Sequence, residues 1–148
     1  MHVTIDGYGG NHGKLADQEL VRELLDRYPG EIGMTKIAPP HVISYVGQKP
    51  EDWGVSGFVI IAESHISVHT FPERGYVWVD IFSCKEFDPD LAIKGITDAF
   101  ELDRFETNLL DRGMLDYPHE VTEAIPVARA ERDQVEGSYA TAGRGPRA

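Results

Sequence analysis

The most reactive part of the chain is a short run in which one carboxylate, two hydroxyls and two imidazoles fall within seven residues. Its members are Glu63, Ser64, His65, Ser67 and His69. A serine in this setting can cleave its own chain, because its hydroxyl can attack the preceding carbonyl, here that of Glu63, and convert the amide to an ester. The ester breaks by β-elimination when a base removes the Cα proton of Ser64. The residual dehydroalanine hydrolyses to a pyruvoyl group and ammonia, so the run could generate a carbonyl cofactor from the chain itself.

The residues that could assist this chemistry each have an ordinary structural interpretation as well. His69 is the candidate base, although a strand histidine more often only hydrogen-bonds within its sheet. Ser56, beside a glycine, is by itself typical of a turn. Cys84, a lone cysteine in a predicted strand, is by itself typical of an inert buried hydrophobe. Glu63, His65 and His69 could also bind zinc if a regular strand places them on one face, but we favour a site without metal.

Two segments before the reactive run have clear periodicity. Alternating residues over 2–6 predict a strand, which the glycine-rich segment 7–11 breaks. Apolar residues at helical spacing predict an amphipathic helix over 17–28, ended by Pro29 and Gly30. The apolar positions of this helix are Leu20, Val21, Leu24, Leu25 and Tyr28.

The reactive run itself lies among predicted strands. Three β-rich runs, at 57–62, 65–71 and 76–83, predict an antiparallel meander, and the turn-forming residues 72–75 join the last two. A capping aspartate, Asp88, followed by proline opens a second helix. The apolar face of that helix consists of Leu91, Ala92, Ile96, Ala99 and Phe100. Since each helix has one apolar stripe, the predicted fold class is α+β, a two-layer sandwich with helices packed on one face of an antiparallel sheet.

The remaining segments are less regular. Residues 34–48 contain a strand interrupted by two prolines at 39–40, which predicts either a bulged edge strand or a strand followed by a loop. Beyond about residue 120 the sequence loses its periodicity. We therefore expect one domain over 1–120 and a flexible C-terminal tail over 121–148.

The charge and the cysteine content narrow the class of protein. The formal net charge is −11, and the 148 residues include one cysteine. A net negative charge opposes binding to nucleic acid or anionic membranes, and no apolar run approaches the roughly 20 residues that span a bilayer. One cysteine forms no internal disulfide, which suits a reducing cytoplasm. We expect a cytoplasmic protein with a small cationic substrate and without nucleic-acid or membrane partners.

The segment 54–100 closely resembles the small prokaryotic S-adenosylmethionine decarboxylase proenzymes. The resemblance is carried by Gly-Val-Ser-Gly at 54–57, by Ala-Glu-Ser-His through His-Thr-Phe-Pro-Glu at 62–73, and by Asp-Ile-Phe-Ser-Cys at 80–84. A weaker likeness extends over 2–28, and the tail shows none. The resemblance implies cleavage between Glu63 and Ser64, which would give a β chain, 1–63, and an α chain, 64–148, that begins with a pyruvoyl group made from Ser64.

The resemblance also implies a reaction and a set of roles. In that family the pyruvoyl group forms a Schiff base with the substrate amine and accepts the electrons released as carbon dioxide leaves. The implied substrate is S-adenosylmethionine, decarboxylated for polyamine biosynthesis. Ser56 and His69 are then processing residues, and Glu73 binds the ribose hydroxyls. Cys84 is the proton donor, a role for which we expect its thiol to be partly buried beside the pyruvoyl group. A homodimer of processed chains, with sites near the subunit interface, is also implied.

One part of the family pattern differs here. Before Gly-Val-Ser-Gly the family usually has a Phe-x-Pro-x-Gly pattern whose aromatic ring stacks on adenine, whereas this chain has Lys-Pro-Glu-Asp-Trp at 49–53. Trp53 could replace the stacking ring, and Glu51 and Asp52 are further candidates for substrate binding. Two carboxylates also suit the guanidinium of arginine or the ammonium of ornithine. A diverged pyruvoyl-dependent arginine or ornithine decarboxylase is therefore an alternative.

Two further points bear on function. Lys85 stands where the family usually has a glycine after the cysteine, and it could place a cation near the substrate carboxylate or lie exposed on a solvated face. An alternative of another class is an unprocessed regulatory subunit that activates a related chain. The intact candidate set argues against that alternative: Ser56, Ser64, His69 and Cys84.

Overall fold

An antiparallel sheet forms one layer of the structure, a computed structural model that describes residues 1–112. Its strands are β1 (His2–Tyr8), β2 (Thr35–Lys36), β3 (His41–Tyr45), β4 (Gly54–Ala62), β5 (Ser64–Phe71), β6 (Tyr76–Ser83) and β7 (Arg104–Leu110). The order across the sheet is β2-β4-β5-β6-β1-β7, and β3 also pairs with β4. The predicted tail and the last residues of the predicted domain, 113–148, lie outside the described residues.

Three helices form the second layer within residues 1–112. They are α1 (His12–Leu15), α2 (Gln18–Glu31) and α3 (Pro89–Phe100), and short 3-10 turns lie at Pro50–Asp52 and Pro72–Arg74. As predicted, Asp88 caps α3, because its carboxylate accepts the backbone N–H groups of Asp90 and Leu91. Asp17 caps α2 in the same way through two backbone N–H groups.

The core lies between the helices and one face of the sheet. Alternate strand residues point into it, as the period-two pattern predicts. Its fully buried members include Ile5, Val59, Ile66, Val68 and Ile81 from the strands and Val21, Leu25, Tyr28, Ile96 and Phe100 from the helices. The predicted α+β class, with helices on one face of an antiparallel sheet, is confirmed, and so is the β4-β5-β6 meander.

Three expectations about the elements were wrong in detail. Helix α2 continues through Pro29 to its end at Glu31, because a proline in the last turn removes one hydrogen bond and leaves the earlier turns intact. Leu91 is 48% exposed and stays outside the core. Segment 34–48 holds two strands, β2 and β3, which flank the prolines and both pair with β4.

Strand β7 was not predicted at all. It pairs with β1 along its whole length, yet all seven of its residues are exposed. A strand that buries neither face has no reason to alternate polar and apolar residues, so its sequence carries no period-two signal.

The second face of the sheet, which we call the open face, is not covered by the helices. It is formed by the strand residues that alternate with the core positions: Ser56, Phe58, Ile60, His65, Ser67, His69, Trp78, Asp80 and Phe82. Phe58 is 44% exposed and Trp78 is 46% exposed on this face. The open face therefore presents large apolar side chains to solvent. Among the described residues, none of the helices has the length and apolar character needed to cross a membrane.

Candidate active site

Ser64, the predicted cleavage residue, is the first residue of β5, directly after the tight turn from β4. Ile61 of β4 pairs with Ser64, so Ala62 and Glu63 form the turn. The φ angle of Ser64 is 128°, a region that residues with a side chain rarely occupy. Such a conformation costs on the order of 1–3 kcal/mol and persists only where surrounding contacts impose it. The backbone is therefore strained at the residue whose hydroxyl would attack.

The carbonyl that Ser64 would attack is already hydrogen-bonded. The backbone N–H of Cys84 donates to the carbonyl oxygen of Glu63 at 3.2 Å. Cys84 reaches this position because Ser83, the last residue of β6, pairs with Ser64. A backbone donor aimed at a carbonyl oxygen stabilises the negative charge that develops there during attack. Cys84 is also half-buried, as predicted, and because it follows Ser83 the residue lies at the same end of β5 as Ser64.

Lys85 follows directly and is exposed. Its backbone N–H donates to the buried Ser83 hydroxyl at 3.0 Å. This bond fixes the chain beyond β6. The Lys85 side chain is exposed, which agrees with the second of its two interpretations from the sequence, a lysine on a solvated face.

A second pair of candidate residues lies in the middle of the sheet. Ser56 on β4 and His69 on β5 are directly opposed in the strand register. His69 Nδ1 and Ser56 Oγ are 3.0 Å apart and hydrogen-bonded. Both side chains are on the open face, and His69 is exposed. The structure thus brings Ser56 and His69 together, but this pair lies far along β5 from Ser64.

That separation follows from the geometry of a strand. Ser64 and His69 are five residues apart on β5, and a strand rises about 3.3 Å per residue, so their backbones are about 16 Å apart. A proton cannot pass directly between side chains over that distance. Within one chain, therefore, the candidate base does not reach its own Ser64.

A third group lies beyond the other end of β5. Glu73 Oε1 accepts hydrogen bonds from His12 Nε2 at 3.0 Å and from Trp53 Nε1 at 3.1 Å. The bond from His12, and to a smaller extent the bond from Trp53, holds the pKa of Glu73 below its ordinary value. Both bonds use one carboxylate oxygen, so Oε2 keeps its capacity to accept from a ligand. The structure therefore brings predicted residues Glu73 and Trp53 together as an ionised carboxylate beside an aromatic ring.

His12 is the member of this group that the sequence analysis missed. It opens α1, whose cap Asn11 accepts the backbone N–H of Lys14 at 3.2 Å. Thr70 of β5 fixes that short helix, because its buried hydroxyl donates to the Leu15 carbonyl at 2.7 Å. A helix of one turn has no periodicity to detect. The available signal was Asn11 before His12, in a glycine-rich segment that allows a tight turn.

The other two predicted substrate residues have different surroundings. Asp52 Oδ1 accepts a hydrogen bond from Arg74 Nη2 at 2.8 Å, which pairs its charge within the chain. Glu51 is exposed in the neighbouring 3-10 turn. Asp52 is thus not a free carboxylate, which weakens the case for a guanidinium or ammonium ligand between the two.

The zinc interpretation of the reactive run does not fit the strand. His65 and His69 share a face, but four residues of strand place them about 13 Å apart, which is too far for one ion. In residues 1–112, groups of three or more His, Cys, Asp or Glu side chains that could hold a metal ion are absent.

Known proteins resemble this chain in sequence and in fold. The family model of S-adenosylmethionine decarboxylase matches residues 1–113. The chain belongs to the S-adenosylmethionine decarboxylase family. The match also covers residues outside 2–28 and 54–100, the two segments in which the sequence resembled the family.

Individual relatives support the same assignment. An S-adenosylmethionine decarboxylase proenzyme of Oceanobacillus iheyensis is 44% identical over 114 residues, covering 76% of this chain and 86% of the relative. One of Pyrococcus furiosus is 31% identical over 138 residues, covering 93% of this chain and 95% of the relative, so its alignment reaches into the segment beyond residue 120. The crystal structure of the adenosylmethionine decarboxylase from Aquifex aeolicus has a TM-score of 0.60 and 29% identity, and covers 76% of this chain and 92% of that one.

The pKa of Glu73 provides a test of the third group in this decarboxylase family member. Replacing His12 with alanine (His12→Ala) removes the main cause of the lowered pKa, so the pKa should rise toward its ordinary value. Trp53→Phe should raise it by less. Because the folded pKa is lowered, the two bonds favour the ionised carboxylate at higher pH and are lost as the pH falls through that pKa.

NMR titration of the side-chain carboxyl groups measures this shift directly. Glu101 is an internal control, because its own lowered pKa is caused by Lys14 and Asn11 and should not move in Trp53→Phe. An unchanged Glu73 pKa in both variants would contradict the hydrogen-bonded group.

Proposed function

We propose that the chain is a self-processing, pyruvoyl-dependent decarboxylase that converts S-adenosylmethionine to decarboxylated S-adenosylmethionine and carbon dioxide. The observation that carries the proposal is the hydrogen bond from the Cys84 N–H to the Glu63 carbonyl, beside the strained Ser64. The names of the relatives, which are S-adenosylmethionine decarboxylase proenzymes, support both the substrate and a precursor that is processed.

Self-cleavage follows from the residues at the start of β5. The Ser64 hydroxyl attacks the carbonyl carbon of Glu63, and the Cys84 N–H accommodates the charge that develops on the carbonyl oxygen. The C–N bond between Glu63 and Ser64 breaks, and an ester to Ser64 Oγ replaces it. Strain at Ser64 favours this step, because the amide bond that breaks is attached to a residue in an unfavourable backbone conformation. Elimination then needs a base for the Ser64 Cα proton, which we assign to His69.

The surroundings of residue 64 fit a pyruvoyl group. The backbone N–H of Cys84 donates to the carbonyl next to residue 64, and Cys84 itself is half-buried, which supports this assignment. A pyruvoyl carbonyl, once formed, supplies an electron sink for the loss of carbon dioxide from a substrate bound through its amine. We assign the Cys84 thiol as the acid that protonates the α-carbon of the product after carbon dioxide has left. Glu73 and Trp53 are the proposed contacts for the ribose hydroxyls and the adenine.

The assignment of His69 as the base for Ser64 requires a second chain. Because Ser64 and His69 are about 16 Å apart on a single strand, we propose a homodimer in which the partner's His69 and Ser56 act on Ser64. The open face is the proposed contact, since it carries the His69 pair and exposed apolar side chains such as Phe58 and Trp78. A two-fold axis that crosses β5 near Ser67, midway between Ser64 and His69, would bring each residue opposite the other. We also propose a cytoplasmic location, where the one thiol stays reduced.

The first test is the intact mass of the purified protein under denaturing conditions. We expect two fragments, residues 1–63 and a pyruvoyl-blocked chain that begins at residue 64. Ser64→Ala should give one uncut chain, since the attacking hydroxyl is gone. Ser44→Ala is the control, because it removes a strand hydroxyl that hydrogen-bonds to Gln18 of α2, away from the open face, and should leave cleavage intact. A single uncut chain from the unaltered sequence would favour the regulatory subunit instead.

The second test measures carbon dioxide released from carboxyl-labelled substrates. We expect release from S-adenosylmethionine and none from arginine or ornithine. Cys84→Ala keeps the backbone N–H on the Glu63 carbonyl, so the chain should still be cut, while kcat falls by about 100-fold or more because the acid is lost. Turnover of arginine or ornithine alone would refute the substrate, and undiminished turnover in Cys84→Ala would remove that residue from the mechanism.

The third test asks whether the site is shared between chains. A His69→Ala chain should stay uncut when produced alone. Produced together with a tagged Ser64→Ala chain, it should be cut, because the partner's His69 is intact. Co-production with a Ser64→Ala, His69→Ala double variant is the control and should restore nothing. The shared site would be ruled out if the tag shows that His69→Ala and Ser64→Ala chains form dimers together and the His69→Ala chain still stays uncut.

A further inference from the structure

We propose that His65 is the general base that deprotonates the Ser64 hydroxyl in the first step of self-cleavage, and that it acts within its own chain. This inference rests on the proposed function, since it concerns the same cleavage. It assigns a role to a side chain that the mechanism above leaves unused. It also separates the two proton transfers of processing between two histidines, His65 for the hydroxyl and His69 for the Cα proton.

The contact that points to His65 is its distance from the nucleophile. His65 Nδ1 lies 3.5 Å from Ser64 Oγ. Among the side-chain hydrogen bonds of residues 1–112, this is the one that Ser64 Oγ makes. A candidate base must come within hydrogen-bond reach of the proton that it takes, and such contacts are often long before the reaction and shorten during it. His65 lies at the outer limit of this reach, so the proposed step requires the contact to shorten as the reaction begins.

The surroundings of His65 hold its ring in place. Its strand partners are Ile60 on β4 and Phe82 on β6. The rings of His65 and Phe82 meet edge to face, with centroids 6.0 Å apart. The contact with Phe82 restricts the imidazole on one side, while Nδ1 lies on the side of Ser64. Histidine suits this position because it exchanges protons near neutral pH.

His69 cannot serve this first step in the same chain. It is about 16 Å from Ser64 along β5, and its Nδ1 is already bonded to Ser56. Sequence neighbours, in contrast, keep their separation whatever the assembly. The structure therefore favours one histidine in cis for the hydroxyl and one in trans for the later elimination.

The step balances without any other reactant. His65 Nδ1 takes the hydroxyl proton as Ser64 Oγ bonds to the carbonyl carbon of Glu63. The C–N bond of the tetrahedral species then breaks, and the resulting imidazolium returns its proton to the Ser64 nitrogen, which leaves as an amine. The products are an ester and a neutral imidazole, so the step is an isomerisation in which nothing is oxidised or reduced.

Rates of cleavage in purified full-length precursors test this role, with the fragments counted by intact mass. His65→Ala should slow cleavage by about 100-fold or more, the usual contribution of a general base. His65→Phe retains an aromatic ring against Phe82 and should be equally slow, whereas a packing role would let it cleave at the normal rate. Added imidazole should accelerate cleavage of His65→Ala and leave Ser64→Ala uncut. Normal cleavage in either His65 variant would overturn the proposal.

Two further measurements separate this proposal from the proposed function. Hydroxylamine cleaves an ester and spares an amide, so it should cut His69→Ala precursor, which stops after the ester forms, and spare His65→Ala precursor. Co-production with Ser64→Ala should restore cleavage to His69→Ala and not to His65→Ala. If the unaltered chain cuts itself while His65→Ala cuts normally or is restored in trans, only the role of His65 fails. If the unaltered chain never cuts, both proposals fail.

His65→Gln is included in case His65→Ala does not fold. Its amide fills similar space and can hydrogen-bond to Ser64, but it cannot take up a proton. Thermal unfolding of each variant establishes that the precursor is folded. A folded His65→Gln precursor that cleaves at the normal rate would refute the base.

Discussion

The fixed rise of β5 is the constraint on which the rest of the site depends. Ser64 begins this strand, His69 lies near its end, and Glu73 follows in the next turn. A strand paired on both sides, as β5 is with β4 and β6, can neither bend nor shorten to bring these residues together. Burial of Ile66 and Val68 fixes the register, because a slip of one residue would move both side chains onto the open face. The core thus determines which groups meet and which stay apart.

The same sheet imposes strain at one point, where its ladder ends. Ser64 pairs with Ile61 and Ser83, yet its φ angle of 128° is unfavourable for a residue with a side chain. The hydrogen bond from Cys84 to the Glu63 carbonyl and the complete burial of Ser83 hold the turn in this state. Folding therefore offsets a local cost of about 1–3 kcal/mol at the bond that would break. Strain and carbonyl polarisation act on a single peptide group.

Local patterns predicted the elements well, and they predicted contacts between elements poorly. Helices α2 and α3 and the meander follow from periodicities that a single segment contains, whereas β7 buries neither face and gave no such signal. In the site, Glu63, Ser64 and Cys84 do meet, as the family resemblance implied. The family resemblance grouped His69 with Ser64 as the processing base, but five residues of extended strand place the two about 16 Å apart within one chain. His12 was missed because it reaches Glu73 from 61 residues away.

The aromatic residue beside Glu73 is a tryptophan, and this determines how the third group is held. A phenylalanine ring contacts a carboxylate without donating to it, whereas the indole N–H of Trp53 bonds to Glu73 Oε1. The orientation of the ring is therefore coupled to the ionised state of Glu73, and the hydrogen bond from His12 to the same oxygen reinforces that state. One oxygen serves to hold the ring and the other is left for a ligand. A stacking surface and a hydrogen-bond acceptor are thus positioned as one unit, which a lone aromatic ring at this position would not provide.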